Sequence, residues 1–294
     1  LKRGAGRMKK ISKKISRRDF FKLGGRGLAT ASAVAVAAVI PKTSEASTSL
    51  KGKQLAMVID LHRCTGCGAC TIACKNENNV QEGFAWAWRI SKTVGKFPNV
   101  RYDYQPTLCN HCQKAPCVRI CPSGAMHKAD GGITMHDPNK CIGCKSCIAA
   151  CPFVVISRND KKTHIFWRDK KELIKDCTTS GQEVTQKAGG KVIPYYNPDR
   201  EKNLKGSGLR YKGIVEKCTF CDHRLKQDKL PYCVERCPAQ ARVFGDLNEL
   251  NSPVNKLLGK YKPQRLREHL GTEPKVYYIR DFNPGNSRQD KGRI

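Results

Sequence analysis

The sequence predicts an α+β fold of two small modules, each built on a pair of cysteine quartets, with a long inserted loop and a signal segment in front. Three observations predict it. Sixteen of the 17 cysteines fall into four quartets, strand-like apolar runs lead into two of them, and the first 46 residues pass from basic to apolar to small.

The third quartet needs almost no context. In CIGCKSCIAACP, residues 141 to 152, Cys141, Cys144 and Cys147 recur every third residue, Cys151 follows four later and Pro152 closes the run. This is the bacterial ferredoxin spacing for a [4Fe–4S] cluster. Three thiolates so placed wrap one face of an iron–sulfur cube, and Gly143 and Ser146 are small enough to let backbone amides approach its sulfides. The fourth thiolate ligates the other cluster of a two-cluster unit, so one such run predicts partners elsewhere. CTGCGACTIAC supplies Cys64, Cys67, Cys70 and Cys74, and CNHCQKAPCVRICP supplies Cys109, Cys112, Cys117 and Cys121. CTFC and the distant CVERCP supply Cys218, Cys221, Cys233 and Cys237. Four [4Fe–4S] clusters are the expected cofactors, and only Cys177 is left over, read as an ordinary thiol. A structural zinc protein also uses cysteine tetrads, but zinc gives no reason for a cysteine at every third residue followed by Cys-Pro.

With 39% hydrophobic residues and 17 cysteines in 294 residues, the chain is expected to lean on its clusters for structure. Ligation is then folding energy, and the chain without clusters is expected to be largely unfolded. The formal charge of +30 invites a nucleic-acid reading. Residues 1–46 carry +10 of it, and four oxidised cubes with their thiolates, formally −2 each, bring the remainder to about +12. The lysines and arginines are scattered among the cysteine motifs without a basic helix or a nucleic-acid-binding signature, which argues against that class. An acidic protein partner or anionic lipid headgroups account for the charge better.

Residues 1–46 read as a targeting segment: lysines and arginines up to Lys14, Arg17 and Arg18 before two phenylalanines, the apolar run from Leu28 to Ile40, then Ser44-Glu45-Ala46. The apolar run is too short to span a bilayer alone. The paired arginines resemble the twin-arginine export signal, whose pathway carries folded proteins. Cysteines outside the cytoplasm ordinarily suggest disulfides, but the quartet spacing and odd total argue against a disulfide framework. Export after folding lets the clusters form first. The expected location is the periplasm or the outer face of the cytoplasmic membrane.

The run LAMVIDL before the first quartet and GITMHD before the third read as the strands preceding cluster loops, with a short helix after each quartet. Lys75 stands where the other three motifs have proline, and reads as an exposed lysine or as a cation that raises a cluster potential. His111 lies between two ligands in CNHC, and reads as structural or as a hydrogen-bonding tuner. The 66 residues between Cys151 and Cys218 mark residues 158–213 as an insertion for partner contact, with a possible strand at THIFWR and a loop through Lys205-Gly206-Ser207-Gly208. Residues 251–294 read as a C-terminal extension with a polar helix-like stretch near Ser252 to Leu270. No second apolar span appears, so the mature chain is expected to reach a membrane only by docking. No general base, nucleophile or substrate pocket is apparent, and no residue is read as catalytic.

The four quartets, CNHC, EKCTFC with its long spacer to CVERCP, and FGDLN from Phe244 to Asn248 together resemble the four-cluster iron–sulfur subunits of membrane oxidoreductases of the dimethyl sulfoxide, polysulfide and tetrathionate reductase type, and the corresponding subunit of the complex accompanying dissimilatory sulfite reduction. The resemblance implies that the first motif pairs with the fourth and the second with the third, so that residues 51–108 and 214–250 are expected to form the first module and residues 109–157 the second. One cluster then takes Cys64, Cys67, Cys70 and Cys237, and the next Cys218, Cys221, Cys233 and Cys74. A third takes Cys109, Cys112, Cys117 and Cys151, and the last Cys141, Cys144, Cys147 and Cys121. It also implies a non-catalytic electron carrier in anaerobic respiration of sulfur compounds. Its expected partners are an integral membrane quinone-interacting subunit and a molybdopterin catalytic subunit or multihaem cytochrome. A stand-alone soluble polyferredoxin is the rival reading.

Overall fold

The computed structural model describes residues 49–81, 83–160, 179–187, 189, 197, 210 and 212–280. The signal segment, THIFWR, the Lys205–Gly208 loop and Cys177 lie outside the described residues. The chain is α+β with small sheets, as the quartet pattern predicts.

Its centre is a three-stranded sheet. Strand β1 (Leu55–Asp60) is buried along its whole length, as continuous apolar residues demand when both faces of a strand are covered. Met57 and Ile59 point into the main core, whereas Ala56 and Val58 pack with Val254 and Ile279 on the other side. Near the chain's end, β8 (Arg242–Asp246) pairs with β1 antiparallel, and β9 (Val276–Ile279) pairs with it parallel. Helix α7 (Pro253–Lys260) closes the far face. Pro253 occupies its first turn and the Ser252 side chain accepts from the Asn255 amide, as expected of a helix start. The stretch expected to be a C-terminal extension thus supplies an edge strand and a covering helix of the central sheet.

The remaining elements frame the cysteine loops. Helix α1 (Ala69–Asn78) follows the first motif. Strands β2 (Ala87–Lys96) and β3 (Asn99–Leu108), ten residues each, form a hairpin that leads into the second motif. Short helix α2 (Pro116–Arg119) lies within that motif, and the hairpin β4 (Met126–Ala129) and β5 (Ile133–His136) joins it to the third. Helix α3 (Ser146–Ala150) lies in the third motif, while α5 (Asp222–Leu225) and α6 (Tyr232–Glu235) lie in the fourth. LAMVIDL and GITMHD become β1 and β5, the strands expected before their loops. Strands β6 (Ile156–Arg158) and β7 (Val215–Lys217) pair antiparallel across the base of the insertion, which holds helix α4 (Gly181–Lys187). No helix among the described residues is long and apolar enough to cross a membrane.

Candidate metal centres

The four cysteine loops share one backbone device. The residue just before the second cysteine is left-handed in each: Gly66 (φ 67°), His111 (φ 45°), Gly143 (φ 72°) and Phe220 (φ 53°). This turn curls the chain tightly between two ligands. Glycine takes it without steric cost, and at two positions nothing larger fits. A Cβ on Gly66 would stand 2.5 Å from the Tyr104 ring, and one on Gly143 2.3 Å from the Gly213 carbonyl oxygen. His111 and Phe220 adopt the same conformation against their side-chain preference, at about 1–3 kcal/mol each.

The loops gather the cysteines by crossover. Cys64, Cys67 and Cys70 share a cleft with Cys237, from the far end of the fourth motif. Cys109, Cys112 and Cys117 share one with Cys151, and Cys141, Cys144 and Cys147 share one with Cys121. Cys74, Cys218, Cys221 and Cys233 form a fully buried set. Burial first, and then repulsion from the other three, push the Cys74 thiol well above its ordinary range.

The four sets stand in a series. Helix α1 carries Cys70 into the first cleft and Cys74, one turn later, into the buried set. Cys218 of that set lies close enough to Cys109 to be repelled by it. Motif two then feeds Cys117 to the third set and Cys121 to the last, while motif three feeds Cys151 back. Only Cys67 and Cys144, in the two end sets, are exposed among these cysteines.

The electrostatics suit an anionic, iron-based occupant. Burial, reinforced by neighbouring cysteines, pushes Cys112, Cys117 and Cys221 up to about 12 and Cys147 to about 11. Such thiols are neutral until a metal displaces their protons. Donors already face the sulfurs. The amides of Met126, Phe220 and Ala241 point at Cys121, Cys218 and Cys237 at 3.4, 3.4 and 3.3 Å. The Asn78 amide reaches Cys74 at 3.7 Å and Cys221 at 3.8 Å. At the exposed end, the Ser146 hydroxyl lowers the Cys144 thiol. Three lysines ring the Cys109 set, Lys217 and Lys275 buried and Lys128 exposed. Lys128 donates to the Cys112 carbonyl, Lys217 to those of Thr134 and Cys218, and Lys275 to that of Gly132. Part of the chain's large positive charge is therefore directed at its own clefts. No three Cys, His, Asp or Glu side chains among the described residues converge closely enough to hold a single ion. Sets of four thiols, spaced too widely for one ion, fit a multi-iron cube.

Two residues with two readings each have structural partners. Lys75 is half-buried and ties α1 to the following loop through the Gln81 and Phe84 carbonyls. His111 is fully buried and uncharged, its Nδ1 accepting from the Thr134 amide, because burial and nearby lysines hold its pKa well below the ordinary range. Sequence reasoning missed Arg242 and Asn78, which contact the thiols. Only their nearness to Cys237 and Cys74 hinted at them.

Comparison with known proteins points to the same kind of cofactor. The 4Fe-4S dicluster domain matches residues 100–189 and 177–247, and a 4Fe-4S binding domain matches residues 61–79. The arsenate respiratory reductase iron-sulfur subunit of Shewanella sp. strain ANA-3 is 47% identical over 229 residues, 78% of this chain and 97% of the relative. A putative dimethyl sulfoxide reductase iron-sulfur subunit of Halobacterium salinarum is 35% identical over 80% of this chain and 82% of its own length. The menaquinone reductase iron-sulfur cluster-binding subunit of Nitratidesulfovibrio vulgaris is 33% identical over 76% and 87%.

Proposed function

Because the chain belongs to the four-cluster iron–sulfur electron-transfer subunits of respiratory oxidoreductases, we propose that it relays single electrons between a quinone-interacting membrane subunit and a catalytic partner. In this reading its sixteen quartet cysteines hold four [4Fe–4S] clusters with the crossed ligand sets described above. The clusters supply one-electron carriers whose potentials depend on their surroundings. The polypeptide does the rest. It fixes four sites in a row, keeps water from the buried middle ones, sets lysines around the Cys109 set, and brings Cys67 and Cys144 to the surface at opposite ends of the series. That ordered series with an exposed thiol at either end carries the proposal, since a relay needs a surface entrance and exit.

The partners follow from relatives. The menaquinone reductase subunit supports a quinone-linked partner, and the arsenate respiratory reductase subunit supports an oxyanion reductase at the other end; that these are an integral membrane subunit and a molybdopterin subunit is what the family resemblance implies. Sulfur-compound respiration is the second reading, favoured by the dimethyl sulfoxide reductase relative. The basic, apolar and small order of residues 1–46 supports export by the twin-arginine route to the periplasmic face. Solubilising membranes anaerobically and identifying the proteins that purify with this chain tests the proposal. A quinone-binding integral subunit and a reductase are expected. A monodisperse chain that never accompanies membranes and accepts electrons freely from soluble donors would instead be a stand-alone ferredoxin.

A further inference from the structure

Arg242 opens β8 opposite Ile59 and is 3% exposed. Among the described residues its guanidinium meets sulfur alone. Nη2 donates to Cys70 Sγ at 3.3 Å, and Nη1 to Cys233 Sγ and Met57 Sδ, each at 3.8 Å. The groups that perturb it electrostatically are cysteines and Tyr278, with no carboxylate among them. Burying a guanidinium without an anion is strongly unfavourable, so the counter-charge must come from what the cysteines bind. The three lysines around Cys109 differ, because backbone carbonyls satisfy them.

Cys70 and Cys233 belong to different sets, the first lining the cleft with Cys64 and the second lying among the buried four. We propose that Arg242 is a positioning residue that serves as the shared counter-charge of these two centres, raising the reduction potential of both and most at the centre of Cys70. The inference rests on the ligand assignment given under the proposed function. An electron arriving at either centre adds one negative charge facing a fixed cation, which favours the reduced state. Arginine suits the role because it keeps its proton and its rigid fork reaches two sulfurs at once. A lysine places one compact charge. Strand pairing to β1 holds the fork between the centres, so neither can be reduced without the other sensing the same cation.

The test uses the full chain, purified anaerobically, with iron counted first and then potentiometric titration followed by electron paramagnetic resonance. With about sixteen irons per chain in the wild type, Arg242→Gln is expected to lower the midpoints of two of the four centres. The larger change is about tenfold in the reduction equilibrium, ~59 mV for one electron. Arg242→Lys is expected to hold at least one midpoint nearer the wild-type value. Midpoints unmoved, moved at one centre only, or moved equally at all four overturn the proposal. Should the glutamine variant fail to assemble, wild-type protein labelled with ¹⁵N-arginine decides by pulsed resonance, where arginine nitrogen coupling is expected at two reduced centres and its absence at both overturns the idea. Iron well short of four cubes in the wild type rejects the ligand assignment itself, and this inference with it.

Discussion

His111 and Phe220 stack with ring centroids 3.7 Å apart, each from the left-handed position before the second cysteine of its motif. The contact clips the loop of the second motif onto that of the fourth, and Phe220 also meets Phe244 edge-on at 5.1 Å. Two strained turns are thus held by one another's side chains and by the core. Phe220→Ala removes this clip and leaves a cavity, at an expected cost of about 3–5 kcal/mol. Anaerobic urea unfolding followed by loss of visible absorbance measures it. A loss under about 1 kcal/mol would mean that the stack contributes little.

Cys74 is predicted to serve the fourth motif, although it lies in the first. Cys74→Ser should alter the same resonance signal as Cys221→Ser and leave untouched the one altered by Cys67→Ser. If Cys74→Ser and Cys67→Ser change one common centre, the crossed assignment is wrong.

Arg210 and Glu216 form a buried ion pair at 2.6 Å, with side chains 4% and 0% exposed. Arg210 also donates to the carbonyls of Asn78 and Asn79, at the end of α1, and lies over the Trp86 ring. Removing one charge leaves the other buried and unpaired, so Glu216→Gln should cost about 3–5 kcal/mol. Glu183→Gln, which breaks the exposed pair with Lys187, should cost no more than about 0.5 kcal/mol. Equal costs in thermal unfolding would contradict the role given to the buried pair.

His136 supplies a pH dependence. Burial first, and Lys217 second, lower its pKa to about 4 from an ordinary 6.5. Between those values the unfolded chain binds a proton that the folded chain refuses, so stability falls as pH drops from 6.5 towards 4, by up to about 1.4 kcal/mol per unit. His136→Gln lacks this component and should show a flatter profile in anaerobic denaturant unfolding between pH 7.5 and 5. An unchanged slope would place the acid sensitivity elsewhere.

Cysteine spacing made the site legible in the sequence because a ferredoxin loop is a local structure. Cys141, Cys144 and Cys147 fix their own geometry within seven residues, and the left-handed turns fall inside the motifs. The crossover of Cys74, Cys121, Cys151 and Cys237 came from resemblance; three clefts bring Cys121, Cys151 and Cys237 to the sets so expected, and Cys74 lies buried beside Cys218, Cys221 and Cys233. Long-range register was not legible. Nothing in the sequence around Val276 marks it as the parallel neighbour of Met57, because strand pairing across more than two hundred residues leaves no periodic trace. Arg242 stayed hidden for the same reason: an arginine in a short strand reads as a surface residue until the sulfurs around it are known. The β2–β3 hairpin also went unread, since its exposed Lys92, Lys96 and Arg101 mask its alternation.

Anomalous diffraction at the iron edge, on crystals of anaerobically purified protein, tests the central claim most directly. Four compact iron peaks are predicted, one enclosed by Cys64, Cys67, Cys70 and Cys237, one by Cys74, Cys218, Cys221 and Cys233, one by Cys109, Cys112, Cys117 and Cys151, and one by Cys121, Cys141, Cys144 and Cys147. Fewer than four peaks, or a cube held by four cysteines of a single motif, would contradict the account.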